Sequence, residues 1–247
     1  MKKNLSSIIL ILCLLVLWQV IAMIINAHYI LPSPIQILVR LYEMKEPLFT
    51  VHLPATMGVT LLGLVISVVL GISLAVVMDV NEKIQNALYP IIIASQTIPT
   101  TAIAPLFVLW FGYEIWSKVL VTILITFFPI TITVYDGFKS TKREMEELLI
   151  TYGACKKDIF LKLKIPSAMP YFFSSIKMAI PLSIIGADIA EWLGAQSGLG
   201  YFSKRMMTQL DGAGVFAPIV LLSAVAMILV YIVTVLENRL IKWRKEL

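Results

Sequence analysis

The sequence predicts an all-α polytopic membrane protein with six transmembrane helices, and three observations carry that expectation. Of the 247 residues, 59% are hydrophobic and only 14% charged, where a soluble domain carries about a quarter charged residues. The apolar residues gather in runs of about 20, the length a helix needs to cross hydrocarbon. Lys and Arg collect in alternate connecting segments. With both termini placed on one side, fourteen of the twenty lie on that side and five on the other, Lys177 falling inside a run. That is the bias of a chain with cytoplasmic termini.

The six runs are Leu5–Ala27, Ala55–Met78, Ala87–Phe111, Ser117–Tyr135, Met169–Leu193 and Val215–Leu236. The first follows Lys2 and Lys3 as a secretory signal would. It is too long for a signal core, and no small-x-small cleavage site follows, so it is expected to stay as an anchor. Together the runs fill more than half the chain, and residues 1–247 are expected to form one membrane domain. The net charge of +5 then concerns topology and anionic lipid; no basic stripe with interleaved aromatics suggests nucleic acid. Cys13 and Cys155, one in a run and one in a loop, argue against a disulfide framework. His28 and His52 lack a third ligand nearby, so no metal site is expected.

In the second run, Gly63, Ser67, Gly71 and Ala75 recur every four residues. Small residues at that spacing line one stripe and let another backbone come close, and packing within the chain is the expected use. The third run is interrupted at Ser95-Gln96-Thr97-Ile98-Pro99-Thr100-Thr101. Pro99 removes a donor and clashes with the preceding turn, so the helix should kink or unwind there. Gln96, Thr97 and Thr100 beside the break are candidates to line a path. The fifth run carries Asp188 and Glu191, three apart on one face and close to its outer end. Two readings stay open for them, a polar outer gate and a solvated rim. After it, glycines at 194, 198 and 200 predict a tight turn, followed by a short surface helix from Tyr201 to Leu210.

The loop between the fourth and fifth runs, about residues 139–166, is charged and patterned. Leu148, Leu149 and Tyr152 fall on one side of a helical segment, Gly153 is a natural helix stop, and Lys156–Lys164 repeats the pattern. Pro166 should end that second helix before the fifth run begins. Alone, such a segment reads as an interfacial helix lying on lipid.

The spacing Glu147-x5-Gly153-x9-Leu163-x-Ile165-Pro166 resembles the EAA loop of permeases from binding-protein-dependent ABC importers, Glu-Ala-Ala-x3-Gly-x9-Ile-x-Leu-Pro. It departs at the alanine pair, which is Leu148-Leu149 here. The stretches Pro99–Gly112, Phe128–Gly137 and Ala190–Tyr201 look like the subfamily serving nitrate, taurine, alkanesulfonates and the pyrimidine precursor of thiamine, closest to the thiamine-precursor members.

This resemblance implies a six-span type I importer permease in a bacterial cytoplasmic membrane, working as a homodimer. It also implies two ATPase subunits inside and a substrate-binding protein outside. The loop would be the coupling helix, with Glu147, Gly153, Ala154, Lys156, Asp158, Leu163 and Pro166 at the ATPase contact. The path would be lined by Gln96, Thr97, Pro99 and Thr100, with Asp188 and Glu191 near the opening. No Gly-x4-Gly-Lys-Ser/Thr phosphate loop occurs, so no cofactor is expected on this chain, ATP and magnesium belonging to the partner. Sulfonate, nitrate or a riboflavin-like solute remain alternative cargoes. A proton-coupled secondary transporter using Asp188 or Glu191 is the alternative class, less attractive without an inverted repeat.

Overall fold

A computed structural model describes residues 2–241; Lys242, Arg244 and Lys245 of the charge count lie outside the described residues. Every regular element among them is a helix. In order come α1 (Lys2–Ile25), α2 (Pro34–Glu43), α3 (Lys45–Val80), α4 (Glu82–Ser95), α5 (Thr100–Phe111), α6 (Ile115–Lys139), α7 (Arg143–Thr151), α8 (Lys156–Gly194), α9 (Leu199–Thr208) and α10 (Gly212–Leu240).

Of these, α3, α6, α8 and α10 are each long and apolar enough to cross a bilayer. The pair α4 and α5 passes only together, bent by 93° at its break, and would make a fifth span. The first expected run is a helix whose apolar part, Ile9–Ile25, is shorter than the others. It stops where Asn26 turns to a φ of 49°, a left-handed conformation that asparagine tolerates better than most residues.

The core is a three-helix slab in which α6 lies between α3 and α8. The small-residue stripe of α3 explains how close the slab packs. A Cβ on Gly63 would sit 2.7 Å from Thr122 Cβ, and one on Gly71 would sit 2.8 Å from Ile130 Cγ2. Ser67 and Thr126 share a buried hydrogen bond between these contacts. On the other face of α6, a Cβ on Gly186 of α8 would sit 3.0 Å from Thr122 Cα. The stripe serves packing within the chain, as its spacing suggested. Gly71→Val should therefore destabilise the folded chain by ~1–3 kcal/mol through overpacking, read as a lower melting temperature in detergent.

Two prolines at helix entries are absorbed without a break. Pro54 and Pro166 lack an N–H and clash with the carbonyl four residues back. Ahead of each the chain widens to a π turn, Leu48–His52 and Phe160–Lys164, in which Leu53 N–H reaches Leu48 O and Ile165 N–H reaches Phe160 O. Pro166 consequently does not end a short helix, as the sequence suggested. The helix runs on from Lys156 to Gly194.

Helix α10 packs on α2, α8 and α9. Arg40 of α2 donates from Nε to Asp211 Oδ2 at 2.8 Å and pairs with Glu43 at 2.8 Å. Hydrogen bonding to Glu43, and then to Asp211, raises its already high pKa. Asp211 also caps α10 by accepting from Gly214 N–H. Helix α9 exposes Lys204, Arg205, Met207 and Thr208 as a surface helix does, while Leu199, Phe202, Ser203 and Met206 of its other face are buried against α10 and α8. Large apolar side chains left outside, such as Leu10, Val16, Val69 and Ile228, form the outward faces that a bilayer covers.

Candidate functional site

Two polar constructions stand at opposite ends of the slab. At one end α7 and the start of α8 make an elbow. Helix α7 closes in a Schellman arrangement: Ala154 N–H bonds Leu149 O at 3.0 Å, Gly153 N–H bonds Ile150 O at 2.9 Å, and Gly153 takes a φ of +83°. Cys155 then caps α8. Asp158 Oδ2 accepts from the Cys155 N–H and Sγ, and Asp158 Oδ1 pairs with Lys162 at 2.7 Å. The elbow is thus held rigid by its own backbone and one carboxylate.

Its outer surface is largely unpartnered. Tyr152 is 80% exposed and Leu148 and Ile150 are also exposed, although apolar groups on a charged segment would ordinarily be covered. Gly153, Ala154 and Asp158 line one shallow cavity of about 330 Å³ with Leu149, Tyr152 and Lys162. Glu147 lies on the exposed surface, paired with Arg143 at 2.9 Å. Lys156 lines a different cavity of about 510 Å³ beside Asp79, Glu146 and Lys164. Leu163 and Pro166 are half-buried further along α8. The expected coupling residues therefore fall on one elbow but not on one patch.

The break expected at Pro99 is present, spanning Gln96 to Pro99 between α4 and α5. At the break Thr97 Oγ1 donates to Ala94 O at 2.7 Å, and Gln96 Nε2 reaches across to Leu124 O of α6 at 3.5 Å. Gln96, Thr97 and Pro99 are exposed and Thr100 half-buried. Among the described residues no hydrogen bond joins them to Asp188 or Glu191.

Those two carboxylates part company. Asp188 is half-buried, whereas Glu191 is 1% exposed, which removes the solvated-rim reading for Glu191. Its Oε2 accepts from Gly200 N–H at 2.8 Å and from Thr56 Oγ1 at 3.0 Å. Thr56 Oγ1 itself accepts from Leu199 N–H at 2.8 Å, and His52 Nδ1 accepts from Gly198 N–H at 3.2 Å. Three successive N–H groups at the start of α9 are thereby taken up by side chains of α3 and α8. An acidic group at a helix N-terminus also meets the favourable end of the dipole. Sequence reasoning missed His52 and Thr56 in this clamp and read Gly198 only as part of a tight turn.

Ion pairs hold two further charged groups of the long helices. Lys177 meets Glu237 of α10 at 2.8 Å. At the elbow end, Asp79 of α3 pairs with Lys164 at 2.9 Å, a contact between groups that the sequence offered only as separate charges.

Comparisons agree with this architecture. The family model described as binding-protein-dependent transport system inner membrane component matches residues 67–242. Formylaminopyrimidine transport permease protein ThiX of Halalkalibacterium halodurans is 54% identical, covering 95% of this chain and 94% of its own. Riboflavin transport system permease protein RibX of Chloroflexus aurantiacus is 32% identical over 93% of this chain and 87% of its own. Among solved structures, a chain of the MetNI methionine ABC transporter in inward-facing conformations shares the fold. Its TM-score is 0.58 at 18% identity, over 76% of this chain and 90% of that one. With its several apolar helices, the chain belongs to the inner membrane components of binding-protein-dependent transport systems, as a multi-pass ABC permease of the import type.

Proposed function

We propose that this permease carries a formylaminopyrimidine-type thiamine precursor into the cytoplasm. The observation that carries the cargo is the 54% identity to ThiX over nearly the whole of both chains. Relatives with other named cargoes are more distant, at 32% for the riboflavin permease and 26% for the taurine permease TauC of Escherichia coli.

In this reading the chain spans the membrane six times, α1 included, with both ends in the cytoplasm, and works as a homodimer in one 1–247 domain. Two ATPase subunits seat the elbows formed by residues 139–166, and a substrate-binding protein delivers the solute from outside. The permease binds no cofactor; ATP and magnesium act on the partner. Glu147, Gly153, Ala154, Lys156, Asp158, Leu163 and Pro166 present the elbow to the ATPase. Gln96, Thr97, Pro99 and Thr100 line the path at the broken span, with Asp188 and Glu191 shaping its outer end. The rigid, capped turn at Gly153 and the exposed Leu148, Ile150 and Tyr152 beside it support docking, because an exposed apolar surface on a stiff projection suits a protein groove. Closure of the ATPases would then swing the slab between inward- and outward-open states.

Proteoliposomes holding the permease, its ATPase and its binding protein test the reading. Formylaminopyrimidine should accumulate only with ATP, and excess taurine or riboflavin should not compete. Uptake driven by a proton gradient without any ATPase would overturn it in favour of a secondary transporter.

A further inference from the structure

We propose that the part-buried pair Asp79–Lys164 is the joint through which movement of the elbow reaches α3 of the membrane slab. This rests on the reading that the elbow docks on an ATPase.

Asp79 lies in the last turn of α3, where unpaired carbonyls make a carboxylate unwelcome. Its side chain is nonetheless only 3% exposed. What holds it there is Lys164, 17% exposed, whose Nζ donates to both carboxylate oxygens at 3.0 and 2.9 Å. Lys139, at the end of α6, stands 4.0 Å from the same carboxylate. Lys164 also faces Glu146 of α7 at 3.7 Å, and Thr141 Oγ1 donates to that glutamate at 3.1 Å. The ends of α3 and α6 thus meet at the Asp79 carboxylate, and Lys164 ties that carboxylate to both arms of the elbow.

Position in the chain gives the pair its leverage. Lys164 occupies the last place of the π turn Phe160–Lys164, directly between the elbow and the spanning part of α8. From there α8 runs to Glu191, while α3 runs from Asp79 back to Thr56, about 35 Å away at 1.5 Å per residue. Glu191 and Thr56 are hydrogen-bonded to each other. Helices α3 and α8 are therefore tied at both ends, with α6 packed between them by the glycine contacts already described. Such a frame turns as a body: the elbow continues directly into α8, and at this end the Asp79–Lys164 tie couples it to α3. The cavity of about 510 Å³ beside Asp79, Glu146 and Lys164 leaves an elbow that lacked this tie room to swing without carrying α3 along.

A buried ion pair is weak grounds for claiming stability, and replacing both partners by apolar groups of similar size is often neutral. That separates a transmitting role from a merely structural one. Asp79→Asn, Lys164→Gln and the double variant Asp79→Leu/Lys164→Met would be reconstituted with the ATPase and binding protein. Formylaminopyrimidine taken up per ATP hydrolysed and the melting temperature are then measured for each. The single variants should hydrolyse ATP yet move at least about fivefold less solute per ATP. The double variant should melt as the wild type does and remain uncoupled. If the double variant regains wild-type solute per ATP along with its melting temperature, or if the single variants stay coupled, the pair is only structural and the proposal falls. A wild-type complex without ATP-dependent uptake would instead remove the docking reading on which the proposal stands.

Discussion

Gly153→Asp should yield a permease that inserts, melts near the wild-type temperature and assembles with its ATPase, yet moves at least about tenfold less solute per ATP. Two facts separate the effect from misfolding. The glycine sits at a φ of +83° with nothing within 4 Å of where a Cβ would lie, so a side chain meets no steric obstacle. The cost is conformational alone, about 1–2 kcal/mol for an ordinary residue and less for aspartate or asparagine, which visit this region most readily. The Schellman closure of α7 can therefore survive. What changes is the tip of the elbow, where a carboxylate replaces bare backbone beside Tyr152 and Ala154. Gly153→Asn carries the same shape without the charge and should keep most of its uptake. Gly153→Val, β-branched in a left-handed conformation, should lose both closure and melting temperature. Uptake and hydrolysis in vesicles with all partners present decide the matter, and wild-type uptake by Gly153→Asp would count heavily against docking.

The turn of the elbow was legible in the sequence because what shapes it is local. A helix-stopping glycine and an amphipathic repeat announced it, and the carboxylate that caps α8 lies three residues after Cys155. The break at Pro99 was legible because Ser95, Gln96, Thr97 and Thr100 cluster around that proline, whereas Pro90, Pro105, Pro129, Pro181 and Pro218 stay inside helices. Pro166 misled because the remedy for a proline lies in hydrogen-bond register, and a π turn leaves no signature in residue type.

Glu191 and Asp79 were the harder cases. Each stands near the end of an apolar run, where a carboxylate ordinarily reaches solvent. Their burial depends on partners brought in by the fold: Thr56 is 135 residues from Glu191 and Lys164 is 85 from Asp79. Only when α9 folds back against α8 does Gly200 present its N–H to the Glu191 carboxylate, and no periodicity announces that return. Likewise the small-residue stripe of α3 stated that something packs closely, while its complement on α6, Thr122 and Ile130, is unremarkable as sequence.

Gly198→Ala is expected to be the most damaging single methyl group in the chain. Gly198 holds a φ of +119° and ψ of 161°, a region essentially closed to residues with a Cβ, at ~1–3 kcal/mol of strain. The added carbon would also be driven into the Glu191 carboxyl group, which cannot retreat while Gly200 and Thr56 hold it. The two penalties together should exceed about 4 kcal/mol, read as a large fall in melting temperature and in monodisperse yield from detergent. Glu191→Gln should cost far less, since one amide oxygen can still accept from Gly200 and Thr56. Glu191→Ala should cost ~1–3 kcal/mol, because it strands a buried N–H. The decisive measurement is the double variant Gly198→Ala/Glu191→Ala. Removing the carboxylate relieves the collision and leaves the backbone strain, so the double variant should be more stable than Gly198→Ala alone. Independent, additive losses would mean that the start of α9 is not seated on Glu191, and the tie between α3 and α8 at this end would have to be sought elsewhere.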